Sequence, residues 1–520
     1  MDEVDGPDEA PTAGEAEGGP GAPQGPRRWI VVASCAVLLL VGLGVRLHGL
    51  DDAPMLFHPT RQLHSAIIAR SIYLDRTAPA DDPQRRQADR AAAREERIEA
   101  PITENIVATL DQVAGHESIW IGGLWSTLVW LAGGVCLFLI LGRFTTLLGR
   151  IAGLAVDLLL PLAVEGGRSV QPDPLMVTLA LATTLLVLRH DERPTWARVL
   201  AAGAVGGAAV LVKPMALVIV VAAFAGQAIH RRGWLGALRD RQSWAYVALL
   251  VAPVGLSRVL GVVPGMRGEA GDYFIGHILR ERQFYVNLGN LLSRNVGPIV
   301  IAVGLVGAFA GSASARRLLA SLWAGYLVTV VAFDYRMATH TYYHLALLPI
   351  LAMGWGLLVG AIPGWLDRHR YRVARVVLYP ALAIALLTGV WLALFGTHQP
   401  VPGRDPIKAN RALGHYLHHD AAVIGITHSD GRELAYYARL DSRGEIPGIA
   451  DRVVLKLQGR PEPDISELVR GSGADYVVVT DVPKLLADPQ LYDVLTRSYE
   501  VVEVGHGWAV LDVHRPPSGG

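Results

Sequence analysis

Two cysteines in 520 residues are too few for a disulfide framework, and since Cys35 and Cys136 both fall inside apolar runs they offer no cysteine metal site. Lysine is almost absent: Lys213, Lys408, Lys456 and Lys484 are the only ones, so arginine carries most of the positive charge. The formal net charge is zero, only 18% of residues are charged, and no nucleic-acid partner is expected. The C-terminal part has no nucleotide-binding glycine motif, and no internal repeat occurs elsewhere. What is abundant is apolar: 51% of the residues are hydrophobic and the mean hydropathy is above zero. That is the composition of a membrane protein.

Residues 1–26 are acidic, rich in Gly and Pro and without an apolar period, which predicts a disordered tail. The first apolar run follows it and is long enough to span, so it reads as a retained anchor. Further runs fall near 118–141, 146–164, 174–188, 196–211, 213–229, 243–261, 294–311, 317–333, 342–362 and 373–396, giving about eleven helices against a bilayer core roughly 30 Å thick. Arginines crowd alternate short connections, as at Arg27 and Arg28, Arg143 and Arg150, Arg189, Arg193 and Arg198, or Arg316 and Arg317. By the positive-inside rule those connections are cytoplasmic, and an odd span count then puts the N-terminus inside and the C-terminus outside. A multi-pass protein of the cell membrane is expected.

The other side receives the long segments. The first outer loop, about 48–117, mixes charge and apolar positions at helical spacing, as expected of amphipathic helices lying along the membrane surface. In "FHPTRQLHSAIIAR", residues 57–70, Leu63, Ala66, Ile67 and Ile68 would face lipid or protein while Arg61, His64 and Arg70 meet headgroups. This stretch has two histidines and two arginines but no acid. The tail, 397–520, alternates β-rich runs ("AAVIGI", "DYVVVT", "YEVVEV") with helical ones, the pattern of a small α/β domain.

Polar groups gather at the outer ends of the spans: His58, Arg61 and His64; Glu99 and Glu104; Glu165, Arg168 and Asp173; Lys213; and "DYRMATHTYYH", residues 334–344. Lys213, alone between two apolar runs, must snorkel, pair, or supply a point charge to a phosphate at the membrane surface. Arg168 is a candidate bidentate complement. His340 and His344 stand four residues apart, a spacing that suits a metal in a regular helix, although no metal is expected here. Asp157 lies mid-span in "GLAVDLLLPL", where an acid is expensive, and is either functional or paired with a polar group of a neighbouring helix.

Taken together these residues resemble a known group. "GRSVQPDPLMVTLAL" is similar to the Arg-x-x-x-Pro-Asp-Pro-Leu segment of GT-C superfamily glycosyltransferases, in the branch of protein O-mannosyltransferases and the lipid A aminoarabinose transferase. "RLHGLDDAP", "IEAPITENIVATL", "VKP" and "THTYYHLALLPILA" follow in the family's order, and the resemblance covers about residues 29–396. It implies a GT-C-like α-helical polytopic domain over 27–396 with an appended extracytoplasmic α/β domain. It also implies an inverting transfer of a sugar from a polyprenyl-phosphate carrier to an acceptor hydroxyl at the outer membrane-water interface. The acceptor would be a protein or glycan, membrane lipid would surround the donor, and no cofactor beyond the donor substrate is expected. A base must take the acceptor proton while cations stabilise the departing lipid phosphate. The family places an acid soon after the first span; here His58 and Pro59 stand near that position. Glu99 is therefore the first candidate base and His58 the second, given the usual imidazole pKa. Lys213, Arg168, Asp173, Arg61, His340, Tyr343 and His344 are the candidate phosphate- and sugar-binding residues. A transporter or flippase of lipid-linked glycans, or a catalytically degenerate lipid- or glycan-binding relative, are the alternatives.

Overall fold

The computed structural model describes residues 27–52, 54, 55, 57–96, 99–261, 274–396, 406–457 and 459–516; the acidic N-terminal segment lies outside them. All eleven apolar runs fall on helices. Within the membrane part these are α1 (Arg28–Leu47), then, after three loop helices, α5 (Ile119–Leu141), α6 (Leu147–Leu159), α7 (Pro161–Arg168), α8 (Asp173–Glu192), α9 (Trp196–Val212), α10 (Ala216–Arg239) and α11 (Arg241–Val259). There follow α12 (Arg282–Asn295), α13 (Pro298–Ala310), α14 (Ala313–Ala332), α15 (Asp334–Thr339), α16 (Leu348–Arg368) and α17 (Arg372–Trp391). By length and apolarity six helices among the described residues suffice to cross a bilayer, or eight if each of two bent pairs is one span. The count of about eleven therefore exceeds what length and composition alone support.

Both bends have local causes. Pro161 ends α6 and opens α7 at 61°, and Pro298 opens α13 at 94° to α12. A break in an apolar helix exposes carbonyls that lipid cannot satisfy. At the first break buried Arg46 does so, donating to the carbonyls of Leu158 at 3.0 Å and Ala163 at 2.9 Å. Asp157, three residues before the break, is in the electrostatic reach of Arg46, and its carbonyl accepts from Trp130 Nε1 at 3.1 Å. It sits beside the guanidinium of a neighbouring helix, two residues before the end of α6 and midway along the bent pair α6–α7. Elsewhere Gly304 and Gly307 meet Gly354 backbone to backbone, a contact that any Cβ would prevent.

The first outer loop forms α2 (Pro59–Thr77), α3 (Pro83–Arg94) and α4 (Ile102–Ala114), with Asp82 capping α3 through the amides of Gln84 and Arg85. α2 packs against both α3 and α4, and α2 and α3 pack against the C-terminal domain. The expectation that the bases of α2 meet headgroups is overturned. Arg61, His64 and Arg70 are all buried, because α2 is covered on one side by α3 and α4 and on another by the tail.

The tail is a five-stranded sheet of order β2-β1-β3-β5-β4: β1 (Ala422–Ile426), β2 (Asp441–Glu445), β3 (Tyr476–Val479), β4 (Glu500–Gly505) and β5 (Trp508–Asp512). β1 runs parallel to β2 and β3, whereas β5 is antiparallel to β3 and β4. Alternate residues feed two cores: Ile424, Ile426, Val477 and Val479 on one face, Val423, Val478 and Val510 on the other. Sequence pattern marks β1, β3 and β4. It misses β2, "DSRGE", a polar edge strand held by its pairing with β1.

Candidate active site

Three elements converge where α8 begins and α9 ends. Asp173 is the first residue of α8, placed there by the turn before Pro174, and Lys213 closes α9 just before Pro214. The lysine ammonium donates to both Asp173 carboxylate oxygens, at 2.8 and 2.9 Å, and both residues are buried. It also faces Tyr343 and Tyr342, with ring centroids 4.5 and 4.8 Å away. Pairing, rather than snorkelling, is what lets this lysine stay out of water.

Beside this pair stands a second. Arg61 of α2 donates to Glu99 at 2.5 Å, both side chains about nine-tenths buried. Arg61 lies within electrostatic reach of Asp173, Glu104 and Tyr342, which keep its guanidinium charged despite burial. Glu104 itself accepts from Ser65 at 2.7 Å. A cleft of about 400 Å³ between α2, α3 and α4 is lined by Glu99, Glu104 and His64.

His58, immediately before α2, has φ +45°, a left-handed conformation that is strained for a residue with a Cβ and that Pro59 cannot relieve by continuing the helix backwards. Its ring is stacked on His340, centroids 5.9 Å apart, meets Tyr342 edge-on at 4.8 Å, and hydrogen-bonds the Thr341 hydroxyl. Burial and nearby Lys213 push its pKa down to about 4, and burial together with Arg336 pushes His340 to about 3. The expected imidazole poised near neutrality is thus overturned: both rings are neutral at pH 7.

Sequence reading brought His58, Arg61, Glu99, Asp173, Lys213, His340 and Tyr343 to this rim, and they do meet there. Two candidates do not join them. Arg168 has its fork occupied, donating to Glu165 and to the His48 carbonyl, each at 2.9 Å, so it ties the end of α7 to the chain after α1. His344 is fully buried between the Tyr326 hydroxyl at 2.7 Å and the Met337 carbonyl at 2.8 Å. The pair His340 and His344 diverges because residues Thr341–Leu347 form a 3-10 helix, whose three-residue turn rotates side chains four apart off a common face. Among the described residues no group of three or more His, Cys, Asp or Glu is placed to hold a metal. Missed at the sequence level were Tyr342 and Thr341, adjacent to quoted candidates, and Asp334, whose carboxylate accepts from the amides of Ile275 and Gly276 at 3.0 and 2.8 Å. Their only signal was membership in the "DYRMATHTYYH" cluster.

Residues 99–260 match the family of dolichyl-phosphate-mannose-protein mannosyltransferases, a stretch that begins at Glu99 and includes Asp173 and Lys213. The structure superposes on ArnT from Cupriavidus metallidurans bound to undecaprenyl phosphate with a TM-score of 0.53 and 15% identity, over 93% of this chain and 97% of that one. The chain has the GT-C fold. Other GT-C structures agree: the archaeal oligosaccharyltransferase AglB from Archaeoglobus fulgidus in complex with an inhibitory peptide and a dolichol-phosphate gives a TM-score of 0.50 at 10% identity, over 94% of this chain and 74% of that one. The same enzyme tethered with an acceptor peptide gives 0.51 at 11% identity, over the same shares. No curated protein matches the sequence. In a GT-C fold the rim of the spans is where the buried Lys213–Asp173 and Arg61–Glu99 pairs of this chain lie.

Proposed function

We propose that this chain is an inverting glycosyltransferase that moves a sugar from a polyprenyl-phosphate carrier to an acceptor hydroxyl at the outer membrane-water interface. The observation that carries the reading is the clustering of two buried cation–carboxylate pairs with Tyr342 and Tyr343 at one end of α8 and α9. Structural neighbours of the same fold were solved with undecaprenyl phosphate and with dolichol-phosphate, which supports a lipid-linked donor.

In this reading the isoprenoid stays in the bilayer and its phosphate reaches Lys213 and Arg61. An arriving phosphate competes with Asp173 and Glu99 for the two cations. Freed from Arg61, the Glu99 carboxylate takes the proton of the acceptor hydroxyl as that oxygen attacks the anomeric carbon. The bond from the anomeric carbon to the phosphate oxygen breaks on the opposite face, so configuration inverts, and the lipid phosphate leaves with its electrons, stabilised by Lys213 and Arg61. The cleft lined by Glu99 offers the acceptor a route to the base. His58, stacked and neutral, positions the aromatic wall and is the second candidate base. We place the N-terminus in the cytoplasm and the C-terminal domain outside, following the arginine asymmetry of the connections. A divalent metal is not needed, and chelation is expected to leave turnover within twofold.

Purified protein with labelled polyprenyl-phosphate sugars and membrane extract tests this directly, by release of the lipid phosphate. Absence of turnover with every donor sugar tried would sink the enzyme reading. Retained donor binding in that case would favour the degenerate binding relative, for which the histidine standing in the family's acid position is the motivating observation. Asp157 beside a helix break, within electrostatic reach of Arg46, is the observation behind the transporter reading; the gathering of the other polar side chains at one end of α8 and α9 favours the transferase.

A further inference from the structure

At the far ends of the same helices lies a second charged region that the proposed transfer does not use. α8 is 20 residues long and so carries Glu192 roughly 30 Å from Asp173. There a groove of about 720 Å³ opens between the ends of α5, α8 and α9, lined by Arg143, Arg189, Arg193 and Arg198 with one acid, Glu192. Two of the arginines are committed. Arg143 donates to Glu192 at 2.6 Å, and Arg198 caps α8 by donating to the carbonyls of Arg189 and Arg193 at 2.7 and 3.2 Å. The exposed side chains of Arg189 and Arg193 make no ion pair among the described residues.

The rest of the groove is apolar, with Leu186, Ala197 and Ala201 continuing along the membrane-facing sides of α8 and α9. Trp196 begins α9 half-exposed beside it, the position of an interfacial aromatic. So an apolar strip ends in two exposed guanidiniums that form no close ion pair among the described residues, Arg189 sharing the one acid of the groove, Glu192, with Arg143 and Arg198 at longer range. A bidentate fork suits a phosphate, and an amphiphile carrying one would satisfy both halves of the groove at once.

We propose that this groove binds the headgroup phosphate of an anionic glycerophospholipid on the membrane face opposite the candidate active site. Arg189 and Arg193, exposed and outside any close ion pair among the described residues, are the specific contacts, while Arg143 and Arg198 hold their helix ends in place.

The test uses the full chain in neutral detergent, titrated with phosphatidylglycerol, phosphatidylcholine or inorganic phosphate and read by native mass spectrometry. Phosphatidylglycerol is expected to bind about tenfold or more tightly than phosphatidylcholine, given roughly 1 kcal/mol for each basic residue at such a surface. R189Q/R193Q is expected to lose most of that preference, R189K/R193K to keep much of it, and R280Q/R294Q, on the other side of the molecule, to leave it unchanged. Equal binding of the two lipids by wild-type protein, or a preference untouched by R189Q/R193Q, would overturn the proposal. Inorganic phosphate binding as tightly as the lipid would overturn the lipid assignment. The wild-type comparison decides even if the double glutamine variant fails to fold.

Discussion

The two ends of α8 and α9 carry the same kinds of side chain under opposite conditions. At one end Lys213 and Arg61 are buried and each is matched by a carboxylate, Asp173 and Glu99. At the other, Arg189 and Arg193 are exposed and held in no close ion pair among the described residues, with Glu192 the one acid lining their groove. Burial makes the difference: a charge removed from water must find a partner of opposite sign, whereas one at the headgroup layer is solvated already. In the proposed transfer, the buried pairs at the rim hold cations where water is scarce until the anionic donor displaces their carboxylate partners.

Breaking the rim should have the largest effect. Lys213→Ala leaves Asp173 buried without its cation; a loss of about 3–5 kcal/mol of stability and roughly 10²-fold or more of turnover is expected, measured by thermal unfolding and by lipid phosphate release. Equal turnover in wild type and Lys213→Ala would remove the lysine from the mechanism. Glu99→Gln keeps the shape and a hydrogen bond to Arg61, so its stability should change little while turnover falls about 10²- to 10⁴-fold. Activity insensitive to Glu99→Gln but lost in His58→Ala would transfer the role of base to the histidine.

The junction between the first outer loop and the tail sharpens the comparison at an intermediate level. Arg432 donates to Glu95 at 2.9 Å, and Glu95 also meets His64 at 2.6 Å. Arg70 reaches the Tyr436 carbonyl at 2.7 Å and lies over the Tyr436 ring. Arg432 is partly exposed, so Arg432→Ala should cost only about 1 kcal/mol, visible as a small fall in the thermal unfolding midpoint.

His58 gives a pH signature. Its folded pKa of about 4 lies below the ordinary 6.5, so the unfolded chain binds the proton first as pH falls. Stability linked to His58 is present above pH 6.5 and is lost as pH drops through 4. His58→Asn should flatten that part of the thermal-midpoint curve, and an unchanged curve would count against a buried neutral ring. Smallest of all, Arg189→Gln at the far end should shift stability in detergent by no more than about 0.5 kcal/mol, in contrast to Asp173→Asn on the same helix.

Much of this was legible in the sequence because the signals are local. Apolar runs mark helices whatever their neighbours, "PDP" and "VKP" place Asp173 and Lys213 at helix ends, and β1 and β3 announce themselves as unbroken apolar runs. The polar strand β2 and the fate of Arg168 and His344 were not legible, since each depends on a partner distant in the chain. The 3-10 turn that separates His340 from His344 was equally hidden, because sequence spacing presumes a regular helix.

The segment 57–70 shows the division most plainly. By itself the sequence determined a helix start at Pro59 and a run of bases with no acid among them, because capping and composition are properties of neighbours along the chain. Only the tertiary structure decided that the acids come from elsewhere: Glu99 for Arg61, Glu95 for His64 and Glu117 for Arg70. Charges in low dielectric are matched across space, and which carboxylate arrives is fixed by how α3, α4 and the tail pack over α2, not by the order of residues.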